Sequence, residues 1–420
     1  MPNIDYQLPD IDLLSVPPQH ETENEVGSPR KTVFLRSVME SEAWKSCKAE
    51  IPIVLGETRD NSVPVIIDLA KAPHILIGGM TGSGKSVLIN SVITGLLFKF
   101  SPDELKFILI DPKRVEFYDF RDLPHLLAPV ITDATRAAGA LRRTVGEIDR
   151  RFKLMGEAGA KNVREYNDTR VGDEKKLPRL VVIIDELAEL RMHKSWKNSE
   201  TCICRIAQLG RAAGVHLIVS TQCPSVNIIT GVIKANFPTR IAFRVVQQPD
   251  SRVILDQPGA EKLLGMGDML LMHVFDDEPK RIQGAYIPDG DLKRLVAFVR
   301  EQAMRGFFPA PEEGLTETVT EPTGPAAETT APSPELPEEI SRLFVPASKF
   351  IRDGDDELIR RAVALILLER KASTSFLQRR LRIGYNRAAE IMEELEAREL
   401  ISPARDDGKR EILAELPPEE

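Results

Sequence analysis

The sequence predicts an α/β protein whose main domain is doubly wound around a mostly parallel sheet. Between about residues 31 and 300, short apolar runs alternate with amphipathic helical stretches. Several runs are apolar throughout, as expected of strands that are covered on both faces. The candidate strands are Ile51–Leu55, Val65–Leu69, His74–Gly78, Lys106–Asp111, Leu180–Asp185, His216–Thr221, Thr239–Val245 and Asp268–Val274.

Four segments follow one another along the 420 residues. Residues 1–30 are polar and contain proline, and we expect a flexible arm. Residues 31–305 hold the α/β domain. Residues 306–345 are acidic and proline-rich, which predicts a disordered linker because such a composition buries no core. Residues 346–416 form a second, compact domain.

The second domain has the element order of a winged helix-turn-helix. Asp355–Arg370, Ser373–Leu381 and Asn386–Arg398 are predicted helices. A short β-hairpin follows between Leu400 and Leu413, with Asp406-Asp407-Gly408 at its tip.

Composition restricts the class of protein further. The formal charge of −8 does not itself indicate nucleic-acid binding, so that function would require local positive patches. The apolar runs are too short to span a bilayer, and the first residues lack the pattern of a signal peptide. The four cysteines show neither zinc spacing nor a disulfide framework. We therefore expect a cytoplasmic chain with no transmembrane segment.

A glycine-rich loop joins the strand His74–Gly78 to the next helix. Its sequence fits the pattern G-x-x-x-x-G-K-[ST] in full, which predicts a loop whose backbone N–H groups bind phosphate. Lys85 is expected to reach the β- and γ-phosphates of ATP, and the Ser86 hydroxyl to bind Mg²⁺. The alternative is a glycine-rich turn without a ligand. The predicted nucleotide-binding residues are Gly79, Met80, Thr81, Gly82, Ser83, Gly84, Lys85, Ser86 and Val87.

Two acidic residues end the apolar strand that begins at Leu180. Asp185 is expected to hold Mg²⁺ with Ser86, and Glu186 to polarise the attacking water. An apolar strand with an acidic end is common on its own. Downstream of the glycine-rich loop, however, it is typical of a Walker B motif.

Other strand ends carry weaker signals. Gln222 follows the strand His216–Thr221 and is a candidate γ-phosphate sensor, although a simple strand-end hydrogen bond is the alternative. The sequence Asp111-Pro112-Lys113 ends another strand and fits either a capped loop or a role near the site. Candidates for an arginine that acts on a neighbouring subunit's γ-phosphate are Arg211, Arg240 and Arg252, and a surface salt bridge is the alternative for each of them.

With these residues assembled, the chain resembles the FtsK/SpoIIIE family of double-stranded DNA translocases. The resemblance covers about 31–300 and 350–415, and its motifs are specific in content and order. It implies a RecA-like P-loop motor, a homo-hexameric ring around duplex DNA, and a γ winged helix that orients the motor and contacts a site-specific recombinase. The segments that carry it include Asp68–His74, Ile110–Lys113, Leu123–Leu127, Arg150–Met155, Leu209–Leu217, Pro224–Gly231, Ile233–Phe243, Leu263–Met269 and Arg382–Ala389.

The resemblance also implies two sets of DNA contacts. The motor loops Ser225–Lys234 and Val245–Asp250 are expected to face the pore and to grip phosphates. In the tail, positive charge clusters around the start of the third helix, and family members read bases from that helix. A protein-binding winged helix is the alternative for this tail. The predicted DNA-binding residues are Arg379, Arg380, Arg382, Asn386, Arg387 and Glu393.

The sequence departs from the family pattern at several points. It has neither the transmembrane helices nor the small α domain that usually precede the motor, since Lys31–Arg36 already resembles the motor's first strand. It is therefore interpreted as a soluble paralogue or an excised part of a longer protein. Cys223 stands where an arginine is typical, and Glu390 where a basic residue is typical.

The sequence therefore predicts an ATP-dependent duplex-DNA translocase for chromosome segregation and cell division. Two alternatives remain. One is a degenerate, ATP-binding and DNA-anchored partner protein that no longer pumps, which the missing α domain and Cys223 would explain. The other is a secretion-coupling ATPase that moves protein or single strands.

Overall fold

A computed structural model describes residues 6–18, 32–171, 175–273 and 276–302. It also describes most of 359–413, excluding 360–361, 364, 368–371, 382–384, 399, 404–409 and 411. The chain divides into two compact units, Met1–Glu321 and Pro322–Glu420. We call them the large unit and the tail unit. The predicted linker 306–345 lies outside the described residues.

One ten-stranded sheet forms the centre of the large unit. Its order is β3-β2-β10-β9-β8-β4-β7-β6-β5, and β1 pairs with β10. The sheet is mixed: β8, β4, β7, β6 and β5 are parallel, whereas β3, β2, β10, β9 and β8 pair antiparallel in turn. The strands are β1 (Val33–Phe34), β2 (Pro52–Thr58), β3 (Pro64–Asp68), β4 (His74–Gly78), β5 (Leu105–Ile110), β6 (Arg179–Ile184), β7 (Val215–Thr221), β8 (Thr239–Phe243), β9 (Asp268–Met272) and β10 (Lys280–Tyr286).

Helices cover both faces of this sheet. The helices described in the large unit are α1 (Leu35–Glu40), α2 (Glu42–Lys45), α3 (Lys85–Leu97), α4 (Ala134–Glu157), α5 (Val163–Asp168), α6 (Leu187–Met192), α7 (Trp196–Ala213), α8 (Gly231–Asn236), α9 (Gln248–Leu255) and α10 (Asp289–Gln302). Short 3-10 turns occur at Ile11–Leu13, Tyr118–Phe120 and Ala260–Lys262.

The two faces form separate hydrophobic cores because side chains of a strand alternate. Along β4, Ile75 and Ile77 belong to the core under α3 and α10, whereas Leu76 belongs to the core under α4 and α7. All five residues of β4 and all seven of β7 are buried. The predicted α/β fold, wound on both faces of the sheet, is confirmed.

The first segment of the chain packs against the large unit. Leu14 is buried, and Ser15 donates two hydrogen bonds to the Asp291 carboxylate, at 2.8 Å from its backbone nitrogen and 2.7 Å from its hydroxyl. Gln7 and Gln302 exchange two hydrogen bonds. The expectation of a flexible arm is wrong for residues 6–18, which we call the strap; the rest of 1–30 lies outside the described residues.

Two details of the strand prediction change. The segment Lys31–Arg36 was expected to resemble the motor's first strand, but of its described residues only Val33–Phe34 form a strand, and α1 begins at Leu35. Strand β10 was not predicted. It fills the middle of the antiparallel half, between β9 and β2.

The tail unit has its own core. Its described helices include α11 (Thr374–Leu381) and α12 (Tyr385–Ala397), preceded by helical residues between 359 and 367. Ile401 and Ile412 pair in an antiparallel bridge, where the hairpin was predicted. The hairpin tip, Asp406–Gly408, lies outside the described residues. The buried side chains include Ile359, Ala362, Ile366, Leu377, Ile391 and Leu395.

In the part of the chain that the structure describes, every helix is too short or too polar to cross a membrane.

Candidate functional site

The glycine-rich loop lies between β4 and α3, at the carboxyl end of the parallel strands. Gly82 and Gly84 have φ of 74° and 114°, in the region that favours glycine. A Cβ on Gly84 would lie 2.4 Å from the backbone nitrogen of Gly267, so a side chain cannot be accommodated there. The sequence therefore fixes a compact loop whose helix begins at Lys85.

Lys85 is buried beneath the loop and points at the end of β6. Its ammonium donates to the Asp185 carboxylate at 2.6 Å and to the Asp185 carbonyl at 2.8 Å. The Ser220 hydroxyl lies 3.3 Å away, on the neighbouring strand β7. The structure therefore brings together the predicted residues of two distant motifs.

Asp185 is fully buried, and only one of its carboxylate oxygens has a hydrogen-bond partner in the described structure. Oδ1 pairs with Lys85, whereas Oδ2 has none. Burial raises the pKa of this carboxyl above its ordinary value, although Lys85 opposes the shift. The unpartnered oxygen is available for a ligand or a metal-bound water.

Glu186 accepts hydrogen bonds on both carboxylate oxygens. Its donors are the Thr221 hydroxyl at 2.7 Å, the Lys113 ammonium at 3.0 Å, and the backbone nitrogens of Gln222 at 3.1 Å and Ala188 at 3.2 Å. Burial raises the pKa of Glu186, but these bonds outweigh burial and leave the pKa below its ordinary value. The carboxylate is therefore held in its ionised form.

Gln222 connects this carboxylate to the glycine-rich loop. Its side-chain oxygen accepts from the Thr81 hydroxyl at 2.8 Å and lies 3.4 Å from the Lys113 ammonium. Lys113 therefore belongs to the site, whereas the sequence left its role open. Thr221 and Ser220 were missed as contributors, since hydroxyl residues at a strand end give no distinctive signal.

A cavity of about 440 Å³ opens beside the loop. Seven of the nine predicted nucleotide-binding residues line it, together with Gln222. Gly79 and Ser83 are not among the lining residues, and the Ser83 side chain is buried. The far wall comes from β1, β10 and the turn before β9, which sequence reasoning missed; its residues are Thr32, Val33, Met266, Gly267, Gln283, Gly284, Ala285 and Tyr286.

The three arginines considered for action on a neighbouring subunit, and Cys223, do not line this cavity. Arg240 is held within its own chain by the carbonyls of Phe237 and Lys234 and by Asp256. Arg211 and Arg252 are exposed. Cys223 is exposed at the end of β7.

The predicted DNA-binding residues of the tail fall on two helices. Arg379 and Arg380 lie on α11, and Asn386, Arg387 and Glu393 on α12, where Glu393 is exposed. Arg382 lies outside the described residues.

Family models match both units of the chain. The FtsK/SpoIIIE family model matches residues 34–226, and the Ftsk gamma domain model matches residues 353–415. Together these ranges exceed half of the 420 residues.

Similar sequences carry related names. The DNA translocase FtsK of Clostridium acetobutylicum is 45% identical over 385 residues, which are 91% of this chain and 46% of that protein. DNA translocase FtsK 1 of Neisseria meningitidis is 42% identical over 405 residues, 92% of this chain and 47% of that protein. The chain thus spans about half the length of the curated relatives it matches.

Solved structures share the fold. The conjugation coupling protein TcpA of pCW3, in a monomer form with ATPγS, gives a TM-score of 0.54 at 30% identity, covering 61% of this chain and 72% of that chain. The cytoplasmic domain of the type VII secretion ATPase EccC from Thermomonospora curvata gives a TM-score of 0.54 at 26% identity. It covers 63% of this chain and 32% of that chain.

Proposed function

Because the chain belongs to the FtsK/SpoIIIE family, we propose that it is an ATP-driven motor that moves duplex DNA during chromosome segregation and cell division. The observation that carries the proposal is the contact of Lys85 with Asp185, beside a Glu186 held ionised. A lysine and two carboxylates that meet beneath a phosphate-binding loop could supply the phosphate-binding cation, the metal ligand and the water-orienting group of a P-loop NTPase. The likeness to relatives named DNA translocase supports the choice of DNA.

ATP would bind in the cavity beside the loop, with its phosphates on the backbone N–H groups of the loop and of the first turn of α3. Lys85 would then exchange its bond with Asp185 for bonds to the β- and γ-phosphates. The exchange keeps the ammonium paired with negative charge throughout. It therefore avoids the cost of a buried, unpaired lysine.

Mg²⁺ fits the oxygen atoms at this place. The Oδ2 atom of Asp185 is buried without a hydrogen-bond partner, and Ser86 follows Lys85 at the start of α3. Hydroxyl and carboxylate oxygens suit a hard cation that otherwise keeps water and phosphate ligands. When bound, the ion would neutralise the charge that develops on the phosphates.

Glu186 would orient and deprotonate the attacking water. The hydrogen bonds that it accepts lower the pKa of Glu186 despite its burial, so the carboxylate is ionised at neutral pH and can accept a hydrogen bond from water. Gln222 accepts a hydrogen bond from Thr81 of the loop. It would respond to a bound γ-phosphate by moving the end of strand β7 and the segment that follows it.

DNA would be gripped by the segments Ser225–Lys234 and Val245–Asp250, which begin within four residues of the ends of β7 and β8. We assign sequence reading to the tail, with Arg379, Arg380, Arg382 and Arg387 on phosphates and Asn386 and Glu393 on bases. A homo-hexameric ring on the cytoplasmic side, an arginine supplied in trans and a site-specific recombinase partner belong to the same proposal.

ATP hydrolysis with and without long linear duplex DNA tests this function. We expect duplex DNA, but not single-stranded DNA of the same sequence, to stimulate hydrolysis several-fold. We also expect the chain to displace a third strand bound at the duplex end in an ATP-dependent way. Lys85→Ala should abolish both activities, because the phosphates lose their buried cation.

A rate of ATP hydrolysis that does not change when duplex DNA is added would contradict the motor function. If duplex DNA stimulates hydrolysis but no third strand is displaced, only the translocation part of the proposal would be contradicted.

A further inference from the structure

The turn after β5 directs one lysine into the site. Asp111 is buried, and its Oδ2 atom accepts hydrogen bonds from the backbone nitrogens of Glu116 at 2.9 Å and Phe117 at 3.1 Å. Asp111 therefore fixes the turn, which is the capped loop that the sequence allowed. Lys113 leaves this turn toward Glu186.

The four donors to Glu186 differ in their freedom to move. The nitrogens of Ala188 and Gln222 are backbone atoms, and the Thr221 hydroxyl stands on a short, buried side chain. Lys113 is a long side chain that is 33% exposed, whereas Glu186 is 2% exposed. If a bond to Glu186 must be released, Lys113 can release it with the least rearrangement.

Lys113 is also connected to the glycine-rich loop through the side chain of Gln222. Its ammonium is 3.4 Å from the Gln222 side-chain oxygen, and that oxygen accepts from Thr81 of the loop at 2.8 Å. A phosphate bound beyond the β-phosphate position would attract this cation more strongly than the single charge of Glu186 does.

We propose that Lys113 is a positioning residue that holds Glu186 and Gln222 together without nucleotide and transfers to the γ-phosphate when ATP binds. This proposal rests on the proposed function. The transfer removes one hydrogen bond from Glu186 and so frees an oxygen lone pair for water. No covalent step is added; the same charge pairs with a carboxylate first and with a phosphate afterwards.

The test compares the affinities of the full chain for ADP and ATPγS, both with Mg²⁺, by calorimetric titration. For Lys113→Met we expect ADP to bind within about twofold of the unaltered chain and ATPγS to bind about tenfold more weakly, since one charge-assisted bond to phosphate is lost. We also expect kcat for ATP to fall. Lys113→Arg should restore most of the preference for ATPγS over ADP.

Lys106→Met is the matched control. Lys106 lies near the start of β5, the strand that precedes the turn of Lys113; it is partly buried and donates to the Pro124 carbonyl at 2.9 Å. It should leave the ratio of the two affinities unchanged.

Two results would overturn the proposal. Equal weakening of ADP and ATPγS in Lys113→Met would assign Lys113 a structural role, and unchanged affinities would remove it from phosphate recognition. If the unaltered chain neither binds nor hydrolyses ATP, the proposed function fails. If it does both and Lys113→Met behaves identically, only the Lys113 assignment fails.

Discussion

At the scale of single residues, the buried ion pair between Lys85 and Asp185 determines which charges the site can hold. Both side chains are almost fully withdrawn from water, so each ion depends on the other for its stabilisation. Burial also raises the pKa of Asp185, which favours its neutral form whenever Lys85 turns away without a cation taking its place. Nucleotide and Mg²⁺ are therefore expected to bind together rather than in sequence.

Glu186→Gln separates binding from hydrolysis. The amide fills the same volume but cannot take a proton, so we expect ATP to bind while kcat falls by at least about a hundredfold. The measurement is single-turnover hydrolysis beside equilibrium binding of ATP.

Glu189→Gln is the control for that experiment, because Glu189 is exposed one turn along α6. Its hydrolysis should stay near that of the unaltered chain. Normal turnover in Glu186→Gln would remove Glu186 from the chemistry.

At the scale of elements, the strap is held by two buried residues, Pro9 and Leu14, and by a set of polar bonds. Leu14 enters the core under α3 and α10, and Arg36 donates to its carbonyl at 2.5 Å. Arg294 of α10 donates to the Leu13 carbonyl and the Ser15 hydroxyl. The strap is therefore bound to α10, the last described helix of the large unit.

Leu14→Ala tests how much the strap stabilises the large unit. Removing a buried leucine side chain typically costs about 2–5 kcal/mol of unfolding free energy, and we expect about 2 kcal/mol because the strap can relax. The measurement is urea unfolding followed by tryptophan fluorescence.

Leu8→Ala is its control within the same strap, since Leu8 is 47% exposed. It should cost less than about 0.5 kcal/mol. Equal effects from the two substitutions would contradict the assigned burial.

Elements with a local signal were predictable, and elements defined by distant partners were not. The strand–loop–helix at Gly79–Ser86 follows from glycines and apolar runs alone. Strand β10 reads Lys-Arg-Ile-Gln-Gly-Ala-Tyr, whose four buried residues are mostly small or polar. The strap is positioned by Asp291 and Lys113 by Glu186. Both partners are far away in sequence, so no local sequence pattern predicts these contacts.

At the scale of the whole molecule, three of the histidines that the structure describes are buried in the large unit. Burial lowers the pKa of His74 and His125 to about 3 and that of His216 to about 4. Their ordinary value is 6.5, which applies to the unfolded chain. The unfolded state therefore binds more protons than the folded state below that pH.

Stability should consequently be full above pH 6.5 and be lost as the pH falls toward 4. Each histidine should lower the free energy of unfolding by about 1.4 kcal/mol between about pH 7.5 and 5.5, because each pH unit below the pKa of the unfolded chain lowers it by that amount. Urea unfolding at the two pH values checks this, and both tryptophans of the chain, Trp44 and Trp196, lie in the large unit and report on it alone.

His125→Asn should reduce that pH dependence by about one third, since one of three titrating groups is removed. Urea midpoints that do not change with pH would contradict the buried, neutral histidines.

The reciprocal bonds between Gln7 and Gln302 have a mechanical consequence. They place the first described residues of the large unit beside the last ones. Tension applied at residues 6 and 302 would act first on these two hydrogen bonds and would peel the strap from α10 one contact at a time. Along the chain the strap precedes β1 and α10 follows β10, so the sheet would be loaded through these two strands only after the contacts between the strap and α10 had broken.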